Sequence, residues 1–169
     1  MLIVRGAVPE DADRVATVHV RSWQIGYRGL IPDHYLDGMR ADERAARYTF
    51  GRDDPELPMT QLAVGGDTIV GFVTTGPARD ADCAGRGEVL ALYVDPESWG
   101  RGIGHRLMTE ARAVLAGRGF TEAVLWVLAG NQRAGRFYRS DGWVSDGTVR
   151  TDDGRGVPLT EVRYRRTLP

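Results

Sequence analysis

Three glycines at alternate positions, Gly100, Gly102 and Gly104, stand in the run Ser98-Trp99-Gly100-Arg101-Gly102-Ile103-Gly104-His105-Arg106-Leu107, between an apolar stretch and an amphipathic one. Backbone without side chains lets a ligand come close, and the first N–H groups of a helix carry the positive end of its dipole. The run therefore suits an anion such as a phosphate or pyrophosphate. Two other readings stand beside this one. The glycines can serve a tight strand-to-helix turn alone, or they can belong to a dinucleotide-binding turn. The latter spaces its glycines Gly-x-Gly-x-x-Gly and places an acidic residue about 20 positions on, at the end of the next strand. Here the spacing is Gly-x-Gly-x-Gly, and Glu122 begins the next apolar run instead of ending it, which argues against a dinucleotide.

Other chemistries fall on composition. All 22 basic residues are arginine, so a Schiff-base lysine and a Walker-type phosphate loop are both excluded. Cys83 is the only cysteine and His19, His34 and His105 are scattered, which leaves no internal disulfide and predicts no metal site. None of Ser22, Ser98, Ser140 or Ser145 lies in Gly-x-Ser-x-Gly, the turn of a hydrolase nucleophile. A net charge of −1 gives no general attraction to nucleic acid. The 169 residues, 42% apolar and 27% charged, fit one globular domain, and no apolar run approaches the roughly 20 residues needed to span a bilayer. The start, Met1-Leu2-Ile3-Val4-Arg5, lacks the parts of a signal peptide, so a cytoplasmic protein is expected.

The elements that must position the glycine turn can be read from periodicity. Leu2 to Arg5 predicts a strand, and Pro9 with Glu10, Asp11 and Asp13 opens a helix over about 9–24, with Ala12, Val15, Ala16, His19 and Trp23 on one face. A turn at Pro32 and a helix over Ala41–Phe50 complete a helical arm. Gln61–Val64 and Thr68–Thr75 form a hairpin about Gly65-Gly66-Asp67, and 77–87, rich in Pro, Gly, Asp and Arg, is expected to be a mobile loop. Glu88–Val94 is apolar nearly throughout and predicts a central strand covered on both faces. After the glycine turn, Ile103, Leu107, Ala111 and Val114 form a helical stripe. Ala123–Leu128 is a strand, and Asn131 precedes a helix with Ala134, Phe137 and Tyr138 on one side. Trp143–Arg150 and Val157–Arg166 form a second hairpin. The order implies one α/β layer of sheet with helices packed on it.

With these residues in order, the chain resembles the GNAT superfamily of N-acetyltransferases, in its small bacterial single-domain form. The likeness runs from Arg5 to about Arg166. It is most specific over 88–143: the strand Glu88–Val94, Asp95-Pro96, Trp99 to Gly104, Asn131, and Arg136-Phe137-Tyr138 before Asp141-Gly142-Trp143. The resemblance implies one N-acetyltransferase domain over 1–169. Its fold would be a mixed, mostly antiparallel sheet of six to seven strands with a central splayed parallel pair and helices on both faces. It implies acetyl-CoA as donor, with the pyrophosphate on Gly100, Arg101, Gly102, Ile103, Gly104, His105 and Arg106, and no metal. The family's Gln/Arg-x-x-Gly-x-Gly/Ala turn is matched at Gly102 and Gly104, while Trp99 stands at the Gln/Arg position and is counted with the turn among the residues implied to bind the cofactor. The pantetheine arm would pair with the backbone of Leu92, Tyr93 and Val94, whose side chains can equally be plain core.

Roles follow by the same resemblance. Acetyl transfer needs a neutral amine and a proton for the departing thiolate. Glu88 is the candidate base, or else a solvated strand-end carboxylate, and Tyr138 the candidate acid, or else a core aromatic. Asn131 can hold the cofactor arm, cap its helix, or both; Arg101 and Arg106 can meet phosphate or sit in solvent. Trp23 and Tyr27, four apart, can wall an acceptor pocket for a cation or pack as core. The implied partner is a small-molecule amine, with no nucleic acid and no membrane, and a homodimer is compatible with the chain. A non-catalytic acyl-CoA sensor and an enzyme for protein N-termini remain the alternatives.

Overall fold

A computed structural model describes residues 1–169. Seven strands form one sheet: β1 (Leu2–Gly6), β2 (Met59–Gly65), β3 (Thr68–Pro77), β4 (Gly87–Val94), β5 (Glu122–Leu128), β6 (Val144–Asp152) and β7 (Leu159–Thr167). Their spatial order is β1-β2-β3-β4-β5-β7-β6. Every neighbouring pair is antiparallel except β4 and β5. No helix is long and apolar enough to cross a membrane.

Period-two alternation along the strands divides the core between two faces. Leu62, Val64 and Phe72 pack under helix α1 (Ala12–Gly26) through Val15 and Val18. Ala63, Val73 and Val89 pack on the other face against helix α4 (Ile103–Gly117), whose Ile103, Leu107, Met108, Ala111 and Leu115 are buried. Two short helices, α2 (Asp33–Asp37) and α3 (Ala41–Ala45), follow α1, and α5 (Gln132–Ser140) lies beside α4 with Ala134, Phe137 and Tyr138 against the same core.

Two expectations are corrected. The helix foreseen over 41–50 ends at Ala45. Tyr48 and Phe50, stacked at 4.6 Å, turn into the cluster under α1, and continued helix would carry one of them away. The segment 78–86 is pinned instead of mobile: Arg163, itself buried, holds Asp82 at 2.8 Å through Nη1 and Nη2 and donates to the Sγ of fully buried Cys83 at 3.1 Å. Asp80 in turn accepts from Trp126 Nε1 at 3.0 Å. The charged residues of this segment anchor it.

Between β4 and β5 the sheet opens. Pairing runs only from Gly87↔Ala123 to Val89↔Leu125, after which β4 stays with β3 and β5 with β7. Leu90–Val94 thus presents a strand edge with no partner, and this half of β4 is only partly buried, where coverage on both faces was expected.

Candidate active site

The opening leads to the glycine turn. Gly100 and Gly102 hold φ of +75° and +76°, a left-handed conformation that costs a residue with a Cβ about 1–2 kcal/mol. A Cβ at either would meet nothing within 4 Å, so the space in front of the turn is clear. Gly104 differs: its φ is ordinary, and a Cβ there would lie 3.3 Å from Phe137 Cε2, so the missing side chain of this glycine admits α5 against α4. From Gly100 to His105, six successive N–H groups donate to no backbone acceptor and converge at the positive end of a 15-residue helix.

The open edge supplies further donors. Asp95 N–H bonds Val70 O across to β3 at 2.8 Å, which turns the Val94 carbonyl toward the opening. There it accepts from Trp99 Nε1 at 2.8 Å and Ser22 Oγ at 3.1 Å. Alternation puts the N–H and C=O of Leu92 on the same open side, while those of Tyr93 serve the β3 pairing. Trp99 therefore binds the strand end instead of an anion, and it is sandwiched further: the Arg133 guanidinium lies 3.7 Å over its ring.

These elements enclose a cavity of about 320 Å³. Leu92, Tyr93, Val94, Trp99, Gly100, Gly102, Ile103, Gly104, His105, Asn131, Tyr27 and Tyr138 all line it, Ile103 through its backbone because its side chain is core. Arg101 and Arg106 lie outside the wall, exposed at the rim of the turn. Neither they nor Arg133 enters an ion pair, so three uncompensated cations surround the mouth. Asn131 Oδ1 accepts from Ala134 N–H at 3.1 Å, which makes it the cap of α5 and leaves its amide NH₂ without a protein acceptor. Tyr138 packs edge-on to Phe137 at 5.2 Å, and its hydroxyl has no protein partner. Burial pushes its phenol above the usual value, so it keeps its proton through the physiological range.

The sequence over residues 20–143 matches the model of the acetyltransferase (GNAT) family. The chain belongs to the GNAT acetyltransferase family. Among its GNAT relatives, the uncharacterised N-acetyltransferase YuaI of Bacillus subtilis (strain 168) is 30% identical over 131 residues, covering 78% of this chain and 74% of that one. The spermidine N(1)-acetyltransferase of Thermoplasma acidophilum is 25% identical over 147 residues, 85% and 88% of the two chains. In fold, the PaiA N-acetyltransferase of Thermoplasma acidophilum, solved in complex with coenzyme A, superposes with a TM-score of 0.78 at 23% identity over 99% of both chains.

In this GNAT chain Tyr27 and Tyr93 also line a second, smaller cavity of about 70 Å³, and Glu88 lies in its wall. The picture of Glu88 as a solvated strand-end carboxylate is overturned: it is 1% exposed. Arg79 holds it through its backbone N–H (3.1 Å), Nε (3.3 Å) and Nη2 (3.0 Å). Trp23 is core, 6% exposed and edge-on to Tyr27 at 4.9 Å. Its ring already carries a cation, the Arg155 guanidinium at 5.4 Å, so the aromatic wall foreseen for a substrate cation is not vacant.

Sequence reading missed Ser22, Gly26 and Arg133 in the first cavity and Arg79, Trp126, Arg150, Arg155 and Glu161 in the second. Arg133 was findable, since it stands four residues before Phe137 on the same side of α5. The second set comes from five separate segments and no local pattern links them.

Proposed function

We propose that the chain moves an acetyl group from acetyl-CoA to the primary amine of a small molecule by direct transfer in a ternary complex. The observation that carries this reading is the continuity of an open β4 edge with six acceptorless N–H groups, which suits an extended amide-bearing arm ending in a pyrophosphate. Leu92 and Val94 would bond the arm, the turn from Gly100 to His105 the phosphates, and Asn131 its amide portion, while Arg101, Arg106 and Arg133 supply the surrounding positive field. The thioester would then reach Tyr138, and the two cavities share Tyr27 and Tyr93 in their walls, so an amine held in the second would approach it past these rings.

An amine of pKa near 10.4 is about one part in a few thousand neutral at pH 7, so its first proton must be taken up; Glu88, a carboxylate of the second cavity, would accept it directly or through water. The nitrogen attacks the thioester carbonyl, a C–N bond replaces the C–S bond, and Tyr138 gives its proton to sulfur. The nitrogen's remaining surplus proton restores the phenol. The products are the amide, the CoA thiol and one proton to solvent.

Thiol release from acetyl-CoA, measured across a panel of amines with mass detection of product, tests the function. The expected result is at least one amine that gains the mass of an acetyl group in step with thiol. Tight acetyl-CoA binding with no turnover on any amine would assign the chain to the non-catalytic sensors.

A further inference from the structure

The second cavity carries information about the acceptor that the cofactor cleft does not. Three guanidiniums and two carboxylates line it: Arg79, Arg150, Arg155, Glu88 and Glu161. The carboxylates are largely spoken for. Glu88 takes three donors from Arg79, and Glu161 Oε2 takes Arg150 Nε at 2.7 Å, which leaves Glu161 Oε1 as the one carboxylate oxygen without a partner. Each guanidinium is ion-paired too, Arg79 with Glu88, Arg150 with Asp80 and Glu161, and Arg155 with Asp152, yet each keeps donors to spare. Arg79 Nη1, Arg150 Nη2, and Nε and Nη2 of Arg155 donate to no protein acceptor and are not sealed in the core. Both tryptophan rings of the wall already carry cations, Trp126 that of Arg150 at 4.0 Å and Trp23 that of Arg155 at 5.4 Å.

Resting on the transferase reading above, we infer that the acceptor is an amine bearing its own anionic group, a carboxylate or phosphonate, and not a polyamine. A zwitterion matches what the cavity offers. Its ammonium meets Glu161 Oε1 beside Glu88, and its anion meets guanidinium donors, which bind carboxylates and phosphonates through paired N–H groups. A polyamine brings a second ammonium. Between the two carboxylates of the wall it finds no second open oxygen. Spermidine, the acceptor in one relative's name, is thus expected to be a poorer acceptor for this chain than a zwitterion.

The test measures both turnover with acetyl-CoA and calorimetric binding to the CoA-loaded protein. The probes are L-amino acids, their amides, ω-amino acids, aminoalkylphosphonates, simple diamines and spermidine. The best ligand is expected to carry an anion, with its amide at least about tenfold weaker, as loss of a charge-assisted bond implies. Arg155 is exposed on the β6–β7 connection and its replacement leaves the core alone. Arg155→Gln is expected to lower the acid-over-amide preference, and Arg155→Glu to shift it toward diamines. Binding of anionic amines without turnover would sink the transferase reading and uphold this one. Amides or spermidine binding as well as acids, or no anionic amine binding at all, would overturn it.

Discussion

Tyr138→Phe is expected to lower kcat by about 10²-fold or more, with acetyl-CoA affinity and Tm nearly as in the native chain. The substitution keeps a ring that packs on Phe137 and removes a hydroxyl that no protein group holds, so folding loses little. The thiolate, by contrast, loses its proton source. The raised phenol also fixes the pH dependence. A group with its pKa above the usual value stays in its acid form, so native kcat should show no alkaline decline from this residue up to about pH 10. A thioester whose thiol has a much lower pKa departs without help, and the defect should shrink with it. Equal defects with both donors would remove the acid role, and a matching loss of affinity would recast Tyr138 as a binding contact.

The second large effect lies in the turn. Gly102→Val places a β-branched residue at φ +76°, a strain of about 2 kcal/mol that the turn relieves by moving away from the ligand-binding conformation. Restoring that conformation on binding should raise the acetyl-CoA Kd by about 30-fold, read by calorimetry. Gly104→Val, which the spacing alone makes equivalent, acts differently because its side chain would push on Phe137. Its effect is expected in kcat as well as Kd, through displacement of the neighbouring Tyr138. An unaltered Kd in folded Gly102→Val would remove the phosphate role of the turn.

What could be read from the sequence was whatever repeats at short range. The strand-turn-helix at 88–107 is a local pattern and gave the glycine turn its place, whereas the splayed strand pair was implied only by the family resemblance. The β4–β5 opening is not local, because it depends on which neighbour each strand keeps. The same holds for the 78–86 segment, whose fixing partner Arg163 lies on β7. Burial of Glu88 depends on Arg79 folding back over it, and an acidic residue at a strand start gives no sign of such a clasp. On the acceptor side, arginines from β6, its connection to β7 and the 78–86 segment meet only after the sheet has formed, so their chemistry was invisible to periodicity.

Amide hydrogen exchange with and without acetyl-CoA tests most directly whether the opening and the turn together form the cofactor cleft. Slowed exchange is predicted at the N–H groups of Leu92 and Val94 and at those from Gly100 to His105, all of which lack protein acceptors or face the opening in the free chain. Binding that leaves these amides unprotected, or protects the β6–β7 edge instead, would contradict the account.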